Sequence, residues 1–104
     1  MNPRLQGRIM GMTNYYKGRA REYRVLQVLR HDGWFCTRSA ASHSPVDIFA
    51  GKDGRTLMIQ VKSGRGRLAE AERKTLIAWA KAFNGRAQVW HFKRGRTPEI
   101  ETLV

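Results

Sequence analysis

Two rhythms of apolar residues alternate along the chain. Over Lys17–His31, Val25, Leu26 and Leu29 fall on one face at helical spacing, and Asp32-Gly33 supplies a stop. Trp34–Ser39 is rich in aromatic and β-prone residues and predicts a short strand, while the small, polar Ala40–Pro45 predicts a loop. Val46–Ala50 and Arg55–Lys62 predict two more strands, joined by the turn Gly51-Lys52-Asp53-Gly54. Ser63–Arg67, basic and broken by glycine, is expected to be a flexible loop. Leu68–Phe83 returns to the helical period, with Leu76, Ile77, Ala80 and Phe83 as its core stripe and Asn84-Gly85 as its end. Arg86–Phe92 alternates Ala87, Val89 and His91 against Gln88, Trp90 and Phe92, a fourth strand. Lys93–Arg96 predicts a turn, and Pro98–Val104 a short edge strand. The order α-β-β-β-α-β makes this an α/β fold. Residues 1–16 hold no period and contain Pro3, Gly7 and Gly11, so a flexible basic arm is expected ahead of one domain over 17–104.

Composition narrows the partners. The chain has 104 residues, enough for one modest core, and carries 20 Lys and Arg against 8 Asp and Glu, a net charge of +12. Such a field attracts polyanions: nucleic acid or an anionic membrane surface. The positive charge is mostly arginine, whose guanidinium fork matches phosphate bidentately and favours a phosphate-backbone ligand. No apolar run is long enough to span a bilayer, and the first sixteen residues lack the apolar core of a signal peptide. The single cysteine, Cys36, excludes an internal disulfide and fits a reducing, cytoplasmic setting. His31, His43 and His91 are scattered and offer no zinc spacing.

The candidate chemistry lies in the hairpin. Asp53-Gly54 is the preferred pair for a two-residue type I′ turn, which sets Lys52 opposite Arg55 and, counted back, Asp47 opposite Gln60. Gln60 and Lys62 then share one face, and Leu57, Ile59 and Val61 the other. Asp47 suits Mg²⁺ or Mn²⁺, which favour oxygen ligands; the Gln60 side-chain carbonyl and the Val61 main-chain carbonyl can complete the shell. Lys62 can orient or deprotonate the attacking water, or neutralise charge on the phosphate. Glu22 shares the buried stripe of the first helix, where an unpaired charge is costly. It is either a second carboxylate for the site or one half of an ion pair with Arg19, Arg21 or another arginine. The bland alternative also stands: Asp47 and Gln60 on a solvated face, with Lys62 guarding an edge strand. Lys17–Arg24 and Gly64–Arg67 are the stretches expected to face DNA, through Lys17, Arg19, Arg21, Arg65 and Arg67.

Lys17-Gly18, Ala20, Glu22, Leu26, Leu29 and Gly33, then Arg38-Ser39-Ala40 and Ser42, Val46-Asp47, Ala50-Gly51 and Ile59-Gln60-Val61-Lys62 resemble the archaeal Holliday junction resolvases over roughly Lys17 to Phe92. Those enzymes belong to the PD-(D/E)XK nuclease superfamily, so the resemblance implies a restriction-endonuclease-like mixed sheet flanked by helices. It implies metal at Asp47 and position 60 with an acid from Glu22, and Lys62 as the active-site lysine. It also implies Ser42 near the scissile phosphate and Arg38 as a phosphate contact; His43, beside Ser42, is an additional candidate contact. The implied function is Mg²⁺- or Mn²⁺-dependent cleavage of four-way junction DNA by a homodimer making paired symmetric nicks. The chain departs from the family in having Gln60 where the second acid is usual, and in the short segment after Phe92. Two alternatives stay open: a restriction- or repair-type nuclease of the same fold on duplex or flap DNA, and a non-catalytic basic DNA-binding protein with a degenerate site. Trp79, Phe83, Trp90 and Phe92 are the candidates for a dimer surface.

Overall fold

The structure is a computed structural model that describes residues 18–40, 44–94 and 97–104. The expected arm over 1–16, Lys17, Ser42, His43 and Arg96 lie outside the described residues. Helix α1 covers residues 18–31 and is followed by β1 (Phe35–Arg38), β2 (Ile48–Lys52), β3 (Arg55–Ser63), α2 (Glu70–Ala82), β4 (Arg86–Phe92) and β5 (Glu99–Thr102). The strands form one sheet in the order β1-β2-β3-β4-β5, antiparallel throughout except for the parallel pair β3–β4. That parallel pair requires a crossover, and α2 makes it. The expected α/β order and mixed sheet are observed, with a fifth strand at the edge.

Local chemistry sets the turns. At the end of α1, Trp34 N–H donates to Leu29 C=O at 2.9 Å and Gly33 N–H to Arg30 C=O at 3.0 Å, with Gly33 at φ +87°. This is a Schellman closure, which needs a residue tolerant of positive φ. Lys52 Nζ adds a bond to Asp32 C=O at 2.5 Å, satisfying another terminal carbonyl of the helix. Helix α2 closes the same way, with Gly85 N–H on Ala80 C=O at 2.7 Å, Asn84 N–H on Lys81 C=O at 3.1 Å, and Asn84 at φ +54°. Between β2 and β3, Asp53 (φ 51°) and Gly54 (φ 75°) form the primed turn, and Lys52 pairs with Arg55 as expected.

Two cores lie on opposite faces of the sheet. Val25, Leu26 and Leu29 of α1 pack with Ile48, Ala50, Leu57, Ile59, Trp90 and Phe92. Leu76 and Ala80 of α2 pack with Val46, Met58, Ala87 and Val89. The strict alternation of Leu57 and Ile59 against Met58, and of Trp90 and Phe92 against Ala87 and Val89, lets one sheet serve both helices.

Several expectations need correcting. Strand β2 starts at Ile48 rather than Val46, because its neighbours stop pairing there. Helix α2 starts at Glu70 and ends at Ala82, so Leu68 and Phe83 lie outside it. Phe83 is 54% exposed rather than core, and Ile77 is only half-buried. Trp90 and Phe92 are core residues and so are unavailable to a dimer surface. The segment expected as a loop over Ser63–Arg67 begins as strand: Ser63 ends β3, and Gly64 (φ +70°) donates to Phe92 C=O at 3.0 Å.

Candidate active site

Asp47 stands one residue before the start of β2. The β2–β3 ladder keeps the expected register down to its last pair, Ile48 with Ile59, but Asp47 does not go on to face Gln60. Its N–H donates instead to Ile59 C=O at 2.8 Å, while its C=O accepts from Ser39 N–H at 2.8 Å. Freed from the ladder, its side chain turns to β3, and Oδ2 accepts from Val61 N–H at 2.7 Å. A strand N–H points in the plane of the sheet toward the neighbouring strand, so its acceptor lies in that plane. The Asp47 carboxylate therefore sits between the two faces, within electrostatic reach of both.

Both helices use that position. From α1, Glu22 Oε1 accepts from Arg38 Nε at 2.8 Å, and both side chains are about three-quarters buried, 24% and 23% exposed. The contact runs through Nε, and the Arg38 guanidinium also lies 5.3 Å from the centroid of the Tyr23 ring. The bond from Glu22 raises the Arg38 pKa, with Tyr23 adding to it. On the other side of the sheet, Lys62 Nζ lies 3.5 Å from Glu72 Oε2 of α2. At Asp47 these charges meet. Burial raises the carboxyl's pKa most strongly, the Val61 N–H lowers it, Glu22 raises it, and Lys62 and Arg38 lower it. Glu22, Arg38, Asp47 and Lys62 thus form one electrostatic cluster at the end of the hairpin.

A shallow trough of about 560 Å³ leads away from Lys62 past Arg67 and Arg73. It shares Arg67, His91, Lys93 and Glu99 with an adjoining hollow of about 680 Å³, lined further by Gly64, Arg65 and Arg94. His91 Nε2 lies 2.8 Å from Gly64 C=O, which ties the start of the basic loop to β4. Arg65, Arg67 and Arg94 suit a phosphate backbone, whereas the trough also carries Glu70, with Lys93 paired to Glu99 (3.1 Å) and Arg73 to Glu101 (2.9 Å).

The family model for archaeal Holliday junction resolvases matches residues 13–101, well over half of the chain. The chain belongs to the archaeal Holliday junction resolvase family. Among solved structures, the 1.6 Å structure of Hjc from Archaeoglobus fulgidus, a Holliday junction resolvase from an archaeal hyperthermophile, superposes with a TM-score of 0.73 at 27% identity. The match covers 84% of this chain and 73% of that one. Comparison with curated protein sequences gives no significant match. Fold, family and function therefore agree: the protein is an endonuclease that resolves four-way DNA junctions.

In this resolvase the structure brings Glu22, Arg38, Asp47 and Lys62 together. Gln60 is half-buried and, by alternation, on the face of Met58 and Lys62, adjacent to the Val61 that holds Asp47. Arg65 and Arg67 line the basic hollow, whereas Arg19 and Arg21 lie on α1, half-buried. Glu22 is ion-paired, and its charge also raises the Asp47 carboxyl. Its partner is Arg38, sixteen residues away, rather than a neighbour on its own helix. Among the described residues, no three His, Cys, Asp or Glu side chains form a metal cluster. A cation here would rest on hard oxygens: the Asp47 carboxylate, the Gln60 amide and Val61 carbonyls, and Glu22. That set suits a small divalent ion such as Mg²⁺ or Mn²⁺. Lys93 and Arg94 were expected among the phosphate-binding cations, while sequence reasoning missed Glu72, Tyr23 and the place of His91 in the trough. Of these only Glu72 had a local signal, its place three residues after Ala69 at a helix start.

Proposed function

We propose that this resolvase nicks four-way junctions at a divalent-metal site held by Asp47 with Gln60, the Val61 carbonyl and, at one remove, Glu22. The observation that carries the reading is the Asp47 carboxylate, fixed in the sheet plane by Val61 N–H at 2.7 Å and influenced from both faces by Glu22 and Lys62. The metal, when bound, would polarise the phosphoryl oxygen and lower the pKa of the attacking water. The remaining work belongs to the chain. Arg38, held by Glu22 through Nε, offers the phosphate its positive charge and guanidinium donors. Lys62 orients the water or neutralises the charge that builds on the phosphate. The trough through Arg67, His91 and Lys93 to Arg65 and Arg94 accommodates the strand leaving the site. Ser42, His43, Lys17, Arg19 and Arg21 enter the proposal through the sequence alone.

Two symmetric nicks call for two active sites related by the junction's two-fold axis, and hence for a homodimer. A partly exposed aromatic cluster, with Phe35 and Phe83 outermost, supports this. Phe49 packs against Trp79 and Phe83 with ring centroids 6.4 and 6.1 Å apart, and Phe35, 85% exposed, lines the same shallow hollow as Phe49. Mg²⁺ or Mn²⁺ as the ion, and the cytoplasm as the compartment, are parts of the same reading. No helix among the described residues is long and apolar enough to cross a membrane.

The test is cleavage of labelled four-way junction, linear duplex and flap DNA with Mg²⁺ or EDTA, by the wild type and Asp47→Asn. Paired nicks near the crossover, abolished by EDTA and in the variant, are expected. Equal cutting of linear duplex would favour a restriction- or repair-type enzyme. Tight binding without cutting in either metal would mean that Gln60 marks a site that has lost its chemistry.

A further inference from the structure

Glu72 takes part in two contacts at once. As the third residue of α2 it accepts the Ala69 N–H through Oε1 at 3.0 Å, half of a capping box whose return half is absent because Ala69 has no side-chain acceptor. Its second oxygen, Oε2, lies 3.5 Å from Lys62 Nζ. The Ala69 N–H first, and Lys62 second, lower the Glu72 pKa, so the group carries its full charge at neutral pH. The turn of helix that bears it is tied on its other side as well: Arg73 forks onto Glu101 of β5 with bonds of 3.2 and 2.9 Å. Glu72 is therefore a carboxylate with a backbone anchor on a fixed helix end. Lys62 is a charge on four flexible methylenes, with many rotamers to choose among.

We infer that Glu72 is the positioning residue for Lys62, holding the ammonium at the mouth of the trough where the scissile phosphate enters. The inference rests on the reading of Lys62 as the active-site lysine. Glu72 acts through Lys62 and not as another ligand: the acid that perturbs Asp47 is Glu22, and Glu72 is absent from the charges that do so. The arrangement also gives the two helices matching tasks, since Glu22 of α1 fixes Arg38 and Glu72 of α2 fixes Lys62. Each site cation is thus set by a carboxylate from the helix on its own side of the sheet. A displacement of the lysine by about 1 Å is the scale at which rates fall by up to about a hundredfold.

Glu72→Gln separates positioning from capping, because the amide oxygen still accepts the Ala69 N–H while the charge facing Lys62 is gone. Single-turnover cleavage at saturating junction and Mg²⁺ is expected to fall about tenfold in Glu72→Gln. Junction Kd is expected to stay within about twofold and Tm within about 2 °C. Glu72→Ala should lose rate to the same extent and also lose Tm, since the cap goes with the charge. In a Lys62→Ala background, adding Glu72→Gln should change the residual rate less than about twofold, as two residues acting through one contact are not additive. A Glu72→Gln enzyme that cuts at the wild-type rate or faster, or whose Kd weakens as much as its rate, overturns the inference. So does an equal loss of rate in the Lys62→Ala background. If Lys62→Ala itself cuts at the wild-type rate, the reading of the site fails first, and the two failures are told apart.

Discussion

Desolvation raises the Asp47 carboxyl above its ordinary value of 3.8, and Glu22 raises it further; only the Val61 N–H, Lys62 and Arg38 oppose them. A raised folded-state pKa means that the folded protein holds its proton at a pH where the unfolded chain has lost it. Stability therefore falls as pH rises from 3.8 through the raised value, and at neutral pH the ionised Asp47 costs the fold stability. Asp47→Asn keeps an oxygen for the Val61 N–H and removes the charge. It is expected to abolish cleavage and to raise Tm at pH 7, each 1 kcal/mol being worth about 4–8 °C in a domain of this size. The gain should vanish below about pH 3, where the wild-type carboxyl is protonated too. Thermal melts of both proteins across pH decide it; an Asn variant less stable at pH 7 would mean that the charged hydrogen bond to Val61 outweighs burial. Position 60 tests the same balance from the other side. Gln60→Glu adds a negative charge beside Asp47, so half-maximal activity should shift to lower Mg²⁺ by on the order of tenfold, since ligand charge count tunes cation affinity. Without metal the variant should melt lower. No shift in the Mg²⁺ titration would remove Gln60 from the ligand set.

At the scale of elements, the turn between α2 and β4 is the tightest crossing. A Cβ on Gly85 would lie 2.8 Å from the Thr56 carbonyl oxygen and 3.0 Å from the Thr56 Cβ, neither of them a flexible tip that can move aside. Gly85→Ala should therefore cost about 1–3 kcal/mol as the turn shifts, read as a lower Tm. A neutral substitution there would show that β3 yields more easily than this packing implies. Turns of this kind were legible in the sequence because their chemistry is local. Asp53-Gly54, Asp32-Gly33 and Asn84-Gly85 each announce a positive φ within a few residues, and the alternation in Arg86–Phe92 separates the two cores correctly. What could not be read depends on contacts distant in the chain. Asp47 leaves the ladder because Ser39 and Val61 claim its backbone and side chain, so counting from the turn carries the register one residue too far. Phe83 completes a helical stripe but falls beyond the last turn of α2, where it stays exposed. Lys62 could be assigned to a face, but its partner on α2 follows from where that helix crosses the sheet.

For the molecule as a whole, the aromatic patch and the charge field make separate claims. Trp79 and Phe83 stack at 6.1 Å on the surface, and a charge placed among them by Phe83→Glu should leave the fold intact and yield monomers by light scattering. Those monomers should nick junctions singly rather than in pairs; a variant that stays dimeric moves the interface elsewhere. The net charge of +12 sets a second expectation, because each neutralised phosphate releases condensed counterions. Junction affinity should fall linearly on a log–log plot against salt, with a slope of about −0.9 for each phosphate contacted. Arg65 and Arg67 stand in the hollow that continues the trough from Lys62, and both are exposed. If both hold phosphates, replacing the pair with alanine should make the slope shallower by about 2. Backbone contacts carry no base information, so the loss should be the same for junctions of different sequence. Cleavage at saturating enzyme should stay near the wild-type rate, because neither arginine belongs to the cluster around Asp47. A salt titration of binding on two unrelated junctions measures the slope and the sequence independence together. An unchanged slope would take the basic loop out of the DNA path and leave the trough's other wall, Lys93 and Arg94, to carry the strand.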